Sequence, residues 1–283
     1  VATLRPMRQR WHRVWWGLRQ EFTWGHEEVV EGRWAWWLNV VAYRVMAVWP
    51  WLAKTYGSPY SSRTFRLVTR QGAVVHYRAH RGDVQGIREI FIDEIYRLPA
   101  GLAPLSLVDL GANIGLASVW LGTTYPLARI IAVEPIAENV SLLRRNAEAN
   151  GLPLEIFATA VGPESGRVHF ADSPTTNMGR VTDQGGTVVA VTALSDVLAR
   201  VTLPQALLKM DIEGMEGPLL TQLDPSWVRT FAAIVMEMHP EYVNVGELVE
   251  AITRQGFDYT ESYEVTEGFR RRKRERLFVQ RPS

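Results

Sequence analysis

The 283-residue chain is 47% hydrophobic and 22% charged, with a formal net charge of +1, ordinary globular values that leave room for one large domain or a domain plus an appendage. A near-neutral balance excludes a general nucleic-acid binder, which needs a basic excess, although it hides local asymmetry. With no cysteine there is no disulfide, no thiolate nucleophile and no Cys-ligated zinc, which is compatible with a reducing compartment.

Nine of the eleven tryptophans precede residue 60, so residues 1–60 are expected as a separate arm. Arg5, Arg8, Arg10 and Arg13 open it without a clean apolar core or a small-residue cleavage site, and a cytoplasmic protein is expected rather than a secreted one. Met7, Trp11, Val14, Trp15 and Leu18 follow helical spacing, and Trp34, Trp37, Leu38, Val41, Val45 and Val48 repeat it after Gly32 until Pro50. Two amphipathic helices follow. Asn39, Arg44 and Pro50 interrupt the second before it reaches a membrane span, and tryptophan prefers the interface to the hydrocarbon centre. The apolar faces are expected to pack within the protein or in a homodimer, with peripheral membrane contact through residues 1–60 as the second choice.

Residues 64–79 alternate about Gln71-Gly72 and read as a β-hairpin. A helix is expected over Val84–Leu98, with Ile87, Ile90, Phe91, Ile95 and Leu98 on one face and Glu89, Asp93, Glu94 and Tyr96 on the other, the second face either bordering a ligand pocket or solvated. Residues 61–100 thus form a hairpin and leading helix.

From Leu105 the chain changes character. A strand of apolar residues ends in Asp109-Leu110-Gly111-Ala112-Asn113-Ile114-Gly115, a helix starts at Leu116, and a second strand, Ile130–Val133, ends in Glu134-Pro135. This is a right-handed β-α-β unit with a glycine turn and an acid at neighbouring carboxyl ends. Asn113 stands where a dinucleotide fingerprint needs its middle glycine, and no Gly-Lys-Ser/Thr follows, so neither a pyrophosphate turn nor a P-loop fits. A ribose without a phosphate remains, with Glu134 to accept from both of its hydroxyls. The alternative is a turn with no ligand.

Further on, a helix is expected from Ile136 to Asn150 and strands over Leu154–Thr159 and Arg167–Phe170. A long loop follows from Ala171 to Gly186, then a strand, Thr187–Thr192, a short helix, Asp196–Arg200, and the core strand Ala206–Met210. The long loop is a candidate lid or substrate loop. After Asp211, Glu213 and Glu216 come a helix to Leu223, a strand Ala232–Met238 carrying Glu237 and His239 at its end, a helix Val245–Gln255 and a strand Phe257–Ser262. A basic turn, Gly268–Lys273, precedes a last strand, Arg276–Gln280, that closes the sheet. Asp109, Glu134, Asp211, Glu213, Glu237 and His239 therefore map to the carboxyl edge, where open α/β sheets bind ligands; Glu213 and Glu216 are equally suited to capping the next helix.

Asp109 to Gly115, Glu134-Pro135 with Asn139 downstream, Leu208 to Gly214, and Glu237-Met238-His239 together resemble the FkbM family of S-adenosylmethionine (SAM)-dependent methyltransferases over roughly Thr64–Val279. The resemblance implies an α/β fold, a Rossmann-like class I methyltransferase sheet with helices on both faces, spanning residues 101–283 and joined here to the Trp-rich helical extension. It implies that Asp109, Gly111, Ala112, Asn113 and Gly115 hold the methionine part of SAM, that Glu134, followed by Pro135, holds the ribose, and that Ile136, Thr159 and Ala160 flank the adenine. Asp211 then faces the sulfonium and the incoming nucleophile.

The implied reaction is methyl transfer to a hydroxyl of a small molecule or glycan, with N-methylation or a non-catalytic SAM-binding scaffold as alternatives. A hydroxyl acceptor needs a base, and His239 has a suitable ordinary pKa. Asp211 can serve instead, and Asp211, Glu237 and His239 can alternatively share a divalent cation, the less favoured arrangement.

Overall fold

The computed structural model describes residues 4–48, 63–79, 82–171, 180–182, 186–202, 205–266 and 269–281; residues 4–14, 16, 45–48, 170–171, 180–182, 261–266 and 269–276 enter as backbone only. Two compact units result, one reaching to Glu94 and the other comprising the described residues from Ile95 on. The boundary coincides with neither of the sequence divisions at 60 and 100.

In the N-terminal unit, α1 (Leu4–Glu27) and α2 (Arg33–Val48) flank a short strand β1 (Val29–Glu31), which joins β2 (Thr64–Thr69) and β3 (Val74–Arg78) in an antiparallel sheet. Strand β1 carries no sequence signal, because three residues show no period. The buried side of α2 is Trp36, Asn39 and Val40, whereas Trp34 and Leu38 are exposed, opposite to the expected stripe. The segment is apolar nearly all round, so period alone does not select a face. Trp36 decides it. Its ring meets Trp24 and Tyr77 at 5.3 and 6.1 Å, and its indole N–H donates to the Glu21 carbonyl. The expected Val84–Leu98 helix shortens to α3 (Asp83–Ile87) with a π turn over Arg88–Ile92, and Glu94 in left-handed backbone ends it. Tyr96, placed by sequence on a ligand-facing or solvated side, is buried.

The second unit holds a seven-stranded sheet. In chain order its elements are β4 (Ser106–Leu110), α4 (Leu116–Thr124), β5 (Arg129–Val133), α5 (Ala137–Ala149), β6 (Leu154–Phe157), β7 (Ala160–Gly162), β8 (Gly166–Ala171), β9 (Arg180–Thr182), β10 (Thr187–Ala193), α6 (Leu194–Leu198), β11 (Ala206–Met210), α7 (Glu216–Thr221), β12 (Phe231–Glu237), α8 (Val245–Thr253), β13 (Phe257–Thr266) and β14 (Phe269–Gln280). The large sheet runs β13-β14-β12-β11-β4-β5-β6. From β12 to β6 the pairings are parallel, and β14 alone enters antiparallel to both neighbours. This is the mostly parallel sheet expected from the sequence. Strands β4 and β11 are buried at every position, as expected of parallel strands covered on both faces.

Three readings change. The last strand does not close the sheet: β14 slots between β12 and β13, because it forms a hairpin with β13 before reaching β12. The basic residues 270–273, expected in a turn, are part of β14. Within the expected long loop, 180–182 form β9 and pair with β8 in a second sheet, β7-β10-β8-β9; the rest of that loop, bar Ala171 and Gly186, lies outside the described residues.

Candidate active site

Parallel pairing in register brings the ends of β4, β5 and β11 side by side, with Asp109 opposite both Ala132 and Lys209. After β4 the chain turns through Gly111 at φ 78°, Asn113 at 51° and Gly115 at 84°, left-handed values that favour glycine and tolerate asparagine. Gly111 is compulsory for a second reason: a Cβ there would lie 1.8 Å from the Asp211 carbonyl oxygen. The turn after β4 and the turn after β11 touch through their backbones.

A lysine holds this contact. Lys209 is buried and ion-pairs with Asp109 at 3.1 Å, while its ammonium donates to the Gly111 carbonyl at 2.6 Å. Burial pulls its pKa down, and Asp109, with Asp211 and Glu134, more than reverses that, so the ammonium persists above its ordinary range. The other Asp109 oxygen accepts from Ser118 at 2.7 Å. Asp109 is thus bonded to the scaffold behind the turn. Lys209 went unassigned in the sequence because it reads as the polar interruption of an apolar strand. Its alignment beside Asp109 in parallel register was the signal available.

Glu134 is buried at the end of β5. Its Oε2 accepts from the Asn113 N–H at 2.9 Å, and its Oε1 accepts from the Ile136 N–H and the Asn139 amide at 3.0 and 3.1 Å. Burial raises its pKa against the pull of these bonds. A carboxylate offers about four acceptor positions, so with three filled it retains capacity for a ribose hydroxyl. Asn113 contributes a buried Oδ1 with no hydrogen-bond partner, an orphaned acceptor beside the turn that a ligand donor would satisfy. Together with the glycine cradle it fits SAM. Ala112 is buried, and Gly115 packs against Leu143 so closely that a Cβ would sit 2.5 Å from its Cδ1; both shape the turn from behind. Pro135 and Ile136 are part-exposed beside Glu134. Thr159 and Ala160 follow the end of β6, where the Phe157 carbonyl accepts from the Glu134 N–H at 3.1 Å. The Thr159 hydroxyl is 2.8 Å from that of Thr192, and Ala160 starts β7 in the second sheet.

At the ends of β11 and β12 a second cluster forms around His239, which is 1% exposed. Its Nδ1 lies 3.3 Å from Glu216 Oε1. Its Nε2 lies 3.3 Å from Glu213, 3.7 Å from Glu237 and 3.8 Å from Asp211. Burial lowers the imidazole pKa, but the Glu216 hydrogen bond and the charges of Glu213 and Asp211 outweigh it and push it up to about 9. His239 is therefore a cation at neutral pH, not the neutral base expected. Glu216, a possible cap, bonds the preceding turn rather than the helix: fully buried, it accepts from the Ile212 and Gly214 N–H groups at 3.1 and 2.7 Å. Glu213, at φ 54°, turns instead toward His239. Among the described residues, donor atoms of Asp211, Glu237 and His239 lie within 4.8 Å of one another, a spacing a divalent cation can use.

A Rossmann-like sheet with a glycine cradle, a ribose-type acid and an acidic cluster at its carboxyl edge defines a nucleoside-dependent group-transfer enzyme. Residues 109–259 match the methyltransferase FkbM domain. The chain belongs to the FkbM methyltransferase family and is a SAM-dependent methyltransferase. It is 29% identical to methyltransferase sdnD of Sordaria araneosa over 61% of this chain and 81% of that one. It is also 29% identical to the 31-O-demethyl-FK506 methyltransferase FkbM of Streptomyces tacrolimicus over 65% of this chain and 85% of that one. A crystal structure of methyltransferase FkbM from Methylobacillus flagellatus KT aligns with TM-score 0.45 and 16% identity, over 70% of this chain and 53% of that one; this chain spans about half its length.

Proposed function

We propose that this methyltransferase acts on oxygen, moving the SAM methyl to a hydroxyl of a small molecule or glycan held at the ends of β11 and β12. The observation that carries the reading is the convergence of Asp211, Glu213 and Glu237 on His239, directly beside the turn that Gly111 and Asp211 share. The name of the Streptomyces tacrolimicus relative, which specifies an O-demethyl substrate, supports oxygen as the acceptor atom.

SAM supplies an activated methyl group, so the residues' task is to align an in-line displacement and take up a proton. Glu134 holds the ribose and the Gly111 turn the methionine part. Asp211, part-exposed at this junction, is the group that accepts the hydroxyl proton. His239, cationic and buried, is a positioning residue: its Nε2 keeps three carboxylates at one point, and Glu216 fixes its ring from behind. A second reading rests on the donor spacing of Asp211, Glu237 and His239, which would hold a divalent cation that would supply Lewis-acid activation of the acceptor hydroxyl.

Calorimetry with SAM and S-adenosylhomocysteine, followed by a methyl-transfer screen over hydroxyl and amine acceptors, tests the proposal. Expected are binding of both nucleosides and a product methylated on oxygen; a product methylated only on nitrogen overturns the oxygen assignment. A turnover profile that does not rise from about pH 6 to 9, and falls as His239 loses its proton near 9, agrees with Asp211 as base, a rise toward pH 9 returns the role to neutral His239, and abolition by EDTA selects the cation.

A further inference from the structure

The carboxyl edge of the large sheet is not flush. Strand β12 ends at Glu237, opposite Glu275 of β14, but β14 begins six residues earlier, at Phe269, and β13 runs on to Thr266. These residues form a two-stranded ribbon overhanging the edge beside the strand that leads to His239. At about 3.3 Å per residue the overhang is roughly 20 Å.

Residues 269–276, FRRRKRER, hold six Lys or Arg and one acid. The register sorts them. Arg271 stands opposite Glu264, whereas Arg270 and Arg272 stand opposite Val265 and Tyr263. Positions two apart share a face, so Arg270 and Arg272 lie on one face of the ribbon in register with uncharged residues, a face that also holds Glu261, and Arg271 lies on the other in register with Glu264. At the base the register shifts, from Tyr263↔Arg272 to Glu261↔Arg276, and this bulge adds Lys273 and Arg274. Protection of a sheet edge puts Lys or Arg on β14, which within the overhang pairs with β13 beyond the end of β12, but it does not sort them by face.

We propose that the Arg270–Arg272 face binds a phosphate group carried by the methyl acceptor, so that the acceptor lies with its phosphate on the ribbon and its hydroxyl at Asp211. The proposal rests on the reading that acceptors bind at the ends of β11 and β12. Guanidinium forks match phosphate oxygens two at a time, and spaced arginines on one face suit a phosphate better than a lone carboxylate. The anion is not the carboxylate of SAM: β14 is three places from β4, about 14 Å at 4.8 Å per strand. A soluble phosphate ester and a lipid phosphate share this chemistry.

The test uses the full chain saturated with S-adenosylhomocysteine at physiological ionic strength, with inorganic pyrophosphate in one arm and phosphatidic acid vesicles, against phosphatidylcholine vesicles, in the other. Wild-type binding is expected in at least one arm, and which arm responds identifies a soluble or a lipid source. In Arg270→Gln/Arg272→Gln that affinity falls about tenfold or more, while Arg271→Gln, opposite Glu264, changes it by no more than about twofold. Binding in neither arm, equal binding by the double variant, or an equal loss in Arg271→Gln overturns the proposal. So does tighter binding of a single-stranded oligonucleotide than of pyrophosphate, which reassigns the ribbon to nucleic acid. Binding of S-adenosylhomocysteine is read separately: its absence in the wild type defeats the methyltransferase site, and its persistence in the variants shows that they fold.

Discussion

Each unit of this protein buries a cation against an aspartate, and the two pairs serve different ends. In the N-terminal unit Arg78 forks onto Asp83, Nε to Oδ2 at 2.9 Å and NH2 to Oδ1 at 3.0 Å, only five residues apart; the pair ties β3 to the start of α3. In the catalytic unit Lys209 and Asp109 come from strands 100 residues apart, and the lysine spends a further bond on the Gly111 carbonyl. Both pairs are nearly inaccessible to water, so burial of charge does not by itself mark a site. The sign of function is that the hydrogen bonds of the second pair end on the backbone of a turn in left-handed conformation.

The sharpest way to break this contrast is through two glycines. Gly111 and Gly72 both have φ near 80–90°, but a Cβ at Gly111 meets backbone at 1.8 Å and at Gly72 meets nothing within 4 Å. Gly111→Ala is expected to abolish S-adenosylhomocysteine binding, a loss of about a hundredfold or more by calorimetry, because the two turns must separate. Gly72→Ala should cost only the left-handed strain, about 1 kcal/mol, with binding unchanged. Comparable effects of the two changes would remove the case for a cradle.

Next in size are the ion pairs. Removing one partner of a buried pair costs about 3 to 5 kcal/mol, so Asp83→Asn and Lys209→Met should lower the urea midpoint by similar amounts. Only Lys209→Met should also weaken S-adenosylhomocysteine binding, by roughly tenfold, since a charge-assisted bond to the turn is worth about 1.5 to 3 kcal/mol. Equal binding in both variants would make Lys209 as purely structural as Arg78.

A smaller contrast is in pH. The His239 pKa is raised from 6.5 to about 9, so its contribution is complete below about pH 6.5 and is lost as the pH rises through about 9. Linkage puts that contribution at roughly 3 kcal/mol. Among the described residues of the N-terminal unit the raised groups are Tyr43 and Tyr77, the latter up to about 12, and both titrate above this window. Urea unfolding at pH 6 and pH 9.5 should show the drop in wild type, and His239→Gln should flatten it.

The catalytic unit was the legible one. Strand Ala206–Met210 reads identically in sequence and structure, and β4, β5 and β12 differ by one or two residues at an end, because buried parallel strands are continuous apolar runs bounded by turn residues. The carboxyl-edge roster was legible for the same reason, since a strand's end is where its run stops. What a residue does there was not. Asp109, Glu134 and His239 look alike as polar groups at strand ends, but the first is bonded by Lys209 and Ser118, the second is three-quarters occupied by backbone and Asn139, and the third is made a cation by three carboxylates. Those roles depend on partners distant in sequence. The N-terminal unit was less legible because its signals are aromatic and apolar in all directions, so that the buried face of α2 was settled by a single indole meeting Tyr77 and Trp24.

The face left over on α2 gives the mildest prediction. Trp34 and Leu38 are 75% and 70% exposed, and Val41, a turn further along, 40%; at i, i+4 and i+7 they share a stripe. No helix among the described residues is long and apolar enough to cross a membrane, so such a stripe is one to be covered rather than inserted through a bilayer. Trp34→Ser/Leu38→Ser removes little packing, so the thermal midpoint should move by only a degree or two and S-adenosylhomocysteine affinity should not change. A second copy as its cover, one of the two covers expected from the sequence, requires light scattering to show the mass of wild type halved in the variant. Flotation of wild type but not variant with anionic liposomes assigns the stripe to a membrane surface instead. A large loss of stability would mean that these side chains are packed after all, and would overturn the assignment of Trp36, Asn39 and Val40 as the buried side of α2.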